Sequence, residues 1–346
     1  MSSPTRLISG IVAVCTGLIL TTNSAFADPE LYKAAKKEGQ LTWYTTLIVK
    51  QAVRPIIAAF EKKYPGIKVR YSRANSSNTA IKVLSEAKAN RVTGDVFDGT
   101  SNVEPLKDAG LVVKWTPKGV AAYPAEYRDP EGYWSATHLY FLTPGINTSM
   151  VSKKDAPKTF EDLLDPKWKG KMAWSLSSST SGAAGFIGNV LFAMGEKKGM
   201  DYLRKLAKQD IIPVSASARK VLDQAIGGEY PIALQIFNHH TVISSKKGAP
   251  VDWIKMEPVT NSLAAIGLIK GAPHPNAAKL LIEFMLSVEG QKVLQKANYL
   301  PAMAAVPAKV PSLKPIEGGY KANVMSQKLV HRNLARWKKI HSDLFR

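Results

Sequence analysis

Residues 40–73 read QLTWYTTLIVKQAVRPIIAAFEKKYPGIKVRYSR, and the order of patterns inside this stretch decides the fold. QLTWYTTL is strand-like and ends in a Thr45-Thr46 turn. Val53, Ile56, Ile57 and Phe60 then recur at helical spacing until Tyr64-Pro65-Gly66 stops them. IKVRYSR alternates Ile67, Val69 and Tyr71 as a second strand. Continuing outward, NTAIKVLSEAKAN reads as a helix, GDVFDGTS (94–101) as a short buried strand with a polar exit, and VEPLKDAGLVV as a further helix. Strands alternating with helices through short joints predict a mostly parallel sheet covered on both faces.

A second unit of the same kind is expected at about 145–257. GKMAWSLSSSTSGAAGFIGNVLFAMG gives a strand, a serine-rich joint and a helix; IIPVSAS and YPIALQIF are later strands, each preceded by a helix. Ligands of such sheets bind beyond the carboxyl ends of the strands. That rule selects Thr45, Thr46, Asp98, Thr100 and Ser101 in the first unit. In the second it selects Ser178, Thr180, Ser181, Gly182, Ser217, Asn238, His239 and His240. The serine joint lies where a helix start favours an anion. Ordinary turn and cap chemistry is the competing reading for the hydroxyl and aspartate positions. On a continuing strand His239 and His240 would face opposite ways, so both reach one ligand only if the chain turns there.

Composition bounds the function. With 346 residues and 45% hydrophobic residues the chain can bury a sizeable core. Arg6, the apolar run 7–20 and Ala25-Phe26-Ala27 predict an export leader (1–27) cleaved after Ala27, too short to span a bilayer. Cleavage would remove Cys15, the one cysteine, which suits an oxidising compartment such as a bacterial periplasm. It would take away Arg6 and no acidic group, lowering the formal charge of +20 by one. This charge fits an anionic ligand or a solvated basic surface; nucleic acid is set aside because no binding signature accompanies it.

The motifs KTFEDLLDPKWKGKMAWS (158–175), GDVF (94–97), GEYPIALQIFNHH (228–240) and KGAPHPNAAKLLIEFMLSVEGQKVL (270–294) together resemble the extracellular solute-binding proteins of ABC importers, in the branch that includes the ferric-iron-binding proteins. The resemblance implies an α/β two-lobe binding-protein fold, type II-like, each lobe a mixed, mostly parallel sheet. Crossover segments near 139–147 and 256–265 would join lobe one (28–142 plus 260–312) to lobe two (143–259). Residues 313–346 would form a basic amphipathic tail, with Met325, Leu329, Leu334, Trp337, Ile340 and Leu344 on one helical stripe. That stripe would pack on a lobe or, alternatively, meet an anionic membrane surface.

The resemblance also implies a monomer that hands its ligand to a cognate permease and ATPase, without a resident cofactor. Ferric-binding relatives place two adjacent tyrosines after an asparagine where this chain has Asn238-His239-His240, and a Ser-Gly-Ala helix start matched by Ser181-Gly182-Ala183. The anion half is kept and the tyrosine half is changed. Fe³⁺ favours anionic oxygen, whereas imidazole suits softer metals. The ligand is therefore expected to be a small anion, or a metal held with an anion by His239, His240 and Asp98. Tyr140, near a crossing, would touch an organic part. The competing functions are an exported hydrolase using Ser181, His240 and Asp98, for which the Gly-x-Ser-x-Gly turn is missing, and a metal-buffering protein without a transporter.

Overall fold

The computed structural model describes residues 28–177 and 179–345, so the expected leader (1–27) and the candidate Ser178 lie outside the described residues. Helix Pro29–Glu38 leads into β1 (Gln40–Thr45), helix Arg54–Lys63, β2 (Lys68–Arg73), helix Ser76–Lys88 and β3 (Val96–Gly99). Alternation along β1 buries Leu41 and Trp43 completely, and the next helix buries Ile56 and Phe60, one turn apart. β1 pairs in parallel with β2 and with β3, so all three release the chain at the same edge.

The long β4 (Ser135–Asn147) is followed by β5 (Met172–Ser175), β6 (Ile212–Val214), β7 (Ile232–Phe237), β8 (Val251–Trp253) and β9 (Val259–Leu268). β5 is parallel to β6 and β7, whereas β4 is antiparallel to β7, β8 and β9, and β3 is antiparallel to β9. One mixed sheet results, in the order β2-β1-β3-β9-β4-β7-β5-β6. The sheets of the two lobes are thus continuous through the β4–β9 pair. Both strands are buried along nearly their whole length, so the sheet runs beneath both lobes without a solvent-exposed break.

Two main apolar cores lie on this frame. Phe141 and Val259 belong to the first core, and Ile146 and Met256 to the second, so the chain changes core within β4 and just before β9. A third passage follows β10 (Leu300–Pro301): Leu313 and Tyr320 join the first core, while Met325, Val330, Trp337 and Ile340 join the second. The single helical stripe expected over 325–344 needs correction. Met325 ends β11 (Ala322–Met325), which is parallel to β9, and the Ser326 hydroxyl caps a helix that runs only over Gln327–Leu344. This helix packs against Ala183–Met194. Gly188 makes the fit, because a β-carbon there would lie 2.8 Å from the Trp337 ring. At its other end His331 meets Asp108 of the first lobe at 2.9 Å. No helix among the described residues is long and apolar enough to cross a membrane.

Candidate functional site

Where the strand ends of both lobes meet, a cleft of about 740 Å³ opens. Thr46 after β1, Arg73 at the end of β2 with residues 74–78 after it, and Thr100-Ser101 after β3 form one wall. Ser177, Ser179 and Ser181 after β5, Arg219 after β6, and His239 and His240 after β7 form the other. Tyr140 of β4 and Tyr299 also line it.

The first wall is built around a buried carboxylate. Asp98 is fully buried, and its Oδ1 accepts from the Thr46 backbone N–H at 2.9 Å and the Thr46 hydroxyl at 2.6 Å. Burial pushes its pKa up. Asp98 therefore holds Thr46 in place from behind the cleft, which corrects the expectation that it touches a ligand or a metal. Thr45 is also corrected: it is buried, and its hydroxyl accepts from the Leu47 N–H. Residues 73–78 were missed. Asn75 caps helix Ser76–Lys88 through the Asn78 N–H at 2.8 Å, and Ser76 Oγ accepts from the Thr100 N–H at 3.0 Å, tying two strand exits together. Arg73 stands at the rim with no carboxylate in ion-pair reach among the described residues. SRANSSN (72–78) is the same kind of polar strand-to-helix joint as 177–181, and that signal could have found these residues.

On the second wall the hydroxyls of Ser177, Ser179 and Ser181 form a chain with spacings of 3.1 and 2.9 Å. This loop folds tightly onto the start of helix Ala183–Met194 because residue 182 is glycine: a β-carbon would lie 2.3 Å from the Ser177 carbonyl oxygen. Gly182 thus supplies room for the loop and does not line the cleft. Three further expectations are corrected. Thr180 points away, its hydroxyl 2.9 Å from Ser262 Oγ and its carbonyl accepting from Gln235 Nε2. Ser217 caps its helix through the Lys220 N–H. Asn238 is buried and donates from Nδ2 to the Leu313 carbonyl.

The histidine pair owes its geometry to a turn. β7 ends at Phe237 and helix Asn238–Ser245 starts at once, so consecutive rings swing to one side with centroids 4.4 Å apart. His239 lies near-parallel to Tyr140 at 5.9 Å and His240 sits edge-on to Phe237 at 5.0 Å. Burial holds both imidazoles neutral, His240 at about 4 and His239 well below the ordinary value, with Arg219 acting in the same direction. Beneath them His138 Nε2 meets the Tyr140 hydroxyl at 2.9 Å; burial pushes that histidine down to about 3 and the phenol up. Neither His239 nor His240 has a ring hydrogen bond to the protein, and the Nδ1 atoms of both are orphaned.

No group of three or more histidine, cysteine or acidic side chains that could hold a metal forms among the described residues. With Asp98 behind the wall, the expected ligand set of His239, His240 and Asp98 is not assembled. The Ser181, His240 and Asp98 relay is not assembled either, since Asp98 is fully buried behind Thr46 and off the cleft lining. The cleft thus combines two guanidinium groups, a hydroxyl chain and the Ser76–Lys88 helix start, with no acidic side chain on its lining. Such a lining favours an anion over a cation.

A family model described as bacterial extracellular solute-binding protein matches residues 93–320. A Salmonella paratyphi A periplasmic protein named for 2-aminoethylphosphonate binding is 24% identical over 245 residues, covering 68% of this chain and 70% of that protein. Two solved structures share the fold. Iron-bound HitA from Pseudomonas aeruginosa has a TM-score of 0.73 at 22% identity, over 88% of this chain and 99% of that one. AfuA from Actinobacillus pleuropneumoniae, with fructose-6-phosphate bound, has a TM-score of 0.72 at 23% identity, over 89% of this chain and 98% of that one.

Proposed function

This chain belongs to the bacterial extracellular solute-binding protein family, and from that premise we propose that it captures a small organic oxyanion, such as a phosphate ester or phosphonate, for an ABC importer. A leader at residues 1–27 would take it to the periplasm, where a permease and its ATPase would receive the ligand. The observation that carries the ligand class is the lining: Arg73, Arg219, three serine hydroxyls and a helix start converge on one cleft without a facing carboxylate. The oxyanion would sit between the serine chain and residues 75–78. His239, His240 and Tyr140 would meet its organic part. Lobe closure would follow because only the closed state lets both walls reach one ligand.

Iron with an accompanying anion is the second reading, supported by the phenols of Tyr140 and Tyr299 in the same cleft. Burial pushes both phenols up, Tyr299 to about 12, so only the bound metal itself would bring them to the phenolate that Fe³⁺ prefers. Calorimetry with inorganic phosphate, glucose 6-phosphate and ferric citrate separates the two. The oxyanion reading expects binding of phosphorylated compounds without metal, weakened in Arg73→Ala and Ser181→Ala variants. Binding of ferric iron with no affinity for any phosphorylated compound would reverse the order.

A further inference from the structure

Within the cleft, the half that would receive the organic part of the ligand has an unusual balance. No carboxylate lines it among the described residues. The nearby acids are withheld from the lining: Asp98 is fully buried, its Oδ1 accepting twice from Thr46, and Asp223 pairs with Arg219 at 2.6 Å. Aromatic faces, which could otherwise hold a cation, are turned on one another. Tyr140 meets His138, Phe237, His239 and Tyr299 at centroid distances of 4.9 to 6.3 Å.

What remains for the ligand is neutral hydrogen-bonding capacity. His239 is 5% exposed, lines the cleft, and makes no ring hydrogen bond to the protein; His240 beside it is half-buried, lines the cleft and likewise makes no ring hydrogen bond. A buried polar ring without a partner is costly unless a ligand satisfies it. A hydroxyl both donates and accepts, so it matches a neutral imidazole in either tautomer. An ammonium only donates, and it would bring a positive charge beside the unpaired Arg73 guanidinium, with no carboxylate on the lining to receive it.

We infer that this cleft selects organic phosphates and phosphonates bearing hydroxyl groups and discriminates against those bearing an ammonium, with His239 as a specificity-determining residue. The inference rests on the oxyanion reading above and adds the polarity of the organic half.

The test uses three phosphonates that differ at one atom position: ethylphosphonate, 2-hydroxyethylphosphonate and 2-aminoethylphosphonate, titrated by calorimetry into the purified full chain at neutral pH. The hydroxyl compound is expected to bind about tenfold or more tighter than the amine, and several-fold tighter than the ethyl compound. In the His239→Phe variant the hydroxyl compound is expected to fall to the level of the ethyl one. An amine that binds as tightly as the hydroxyl compound to the wild-type chain overturns the selection and leaves the oxyanion reading standing. Silence from all three, with inorganic phosphate and glucose 6-phosphate silent as well, removes both.

Discussion

Acidification tests the buried histidine layer beneath the cleft. His138 is fully buried, with Nδ1 at 3.0 Å from the Thr137 hydroxyl and Nε2 at 2.9 Å from the Tyr140 hydroxyl. Burial pushes it from an ordinary 6.5 to about 3. Because the folded value is depressed, the unfolded chain takes up the proton first. Stability is therefore full above about pH 6.5 and is lost as pH falls from there toward 3. At pH 5 the unfolded histidine is largely protonated and the folded one is not, a difference of 1.5 units below the ordinary value, or about 2 kcal/mol.

His240, pushed to about 4, adds a similar amount, and His239 acts with the same sign. These histidines are thus expected to contribute a loss of about 4 kcal/mol or more between pH 7.5 and 5.0, opposed by buried acids such as Asp98, whose raised pKa acts the other way. Urea unfolding followed by tryptophan fluorescence at both pH values measures this. A His138→Gln variant is less stable at every pH, but its loss between the two values should shrink by about 2 kcal/mol. Equal losses in wild type and variant would refute the reasoning, since they would place the responsible proton elsewhere.

Three further outcomes are expected. Arg73→Ala should weaken oxyanion binding by about tenfold or more, as expected for a lost charge-assisted contact, with calorimetry at two salt concentrations as the measurement. Asp98→Ala should cost about 1–3 kcal/mol in urea unfolding, because the Thr46 N–H and hydroxyl lose their acceptor, and should weaken ligand binding as Thr46 loosens. Trp337→Ala should cost about 3–5 kcal/mol, since the ring fills the space above Gly188 and joins the second core; a melting curve checks it.

The strand and helix alternation was legible at residues 40–99 because its signals are short-range. Leu41 and Trp43 alternate, Ile56 and Phe60 lie one turn apart, and the next turn follows at Tyr64-Pro65-Gly66. The rule that ligands gather at strand ends pointed to the edge of the sheet where the cleft opens. It did not tell cleft-lining residues from their supports. Thr46 and Asp98 share that edge, yet one lines the cleft and the other is sealed behind it. Residues 73–78 escaped notice because a lone arginine followed by small polar residues looks like any solvated joint until the opposite wall is in view.

Periodicity, cap residues and turn signals, each acting over a few residues, let the sequence by itself determine the two-unit α/β pattern, the serine joint and the place of the histidine pair. Only the tertiary structure decided which polar groups are free for a ligand. Thr180 is taken by Ser262, Asn238 by the Leu313 carbonyl, and Gln235 spans Thr180 and Thr260. Those partners lie 25 to 82 residues apart. Their pairing depends on strand register and on the third passage of the chain between the cores, and no local pattern encodes either.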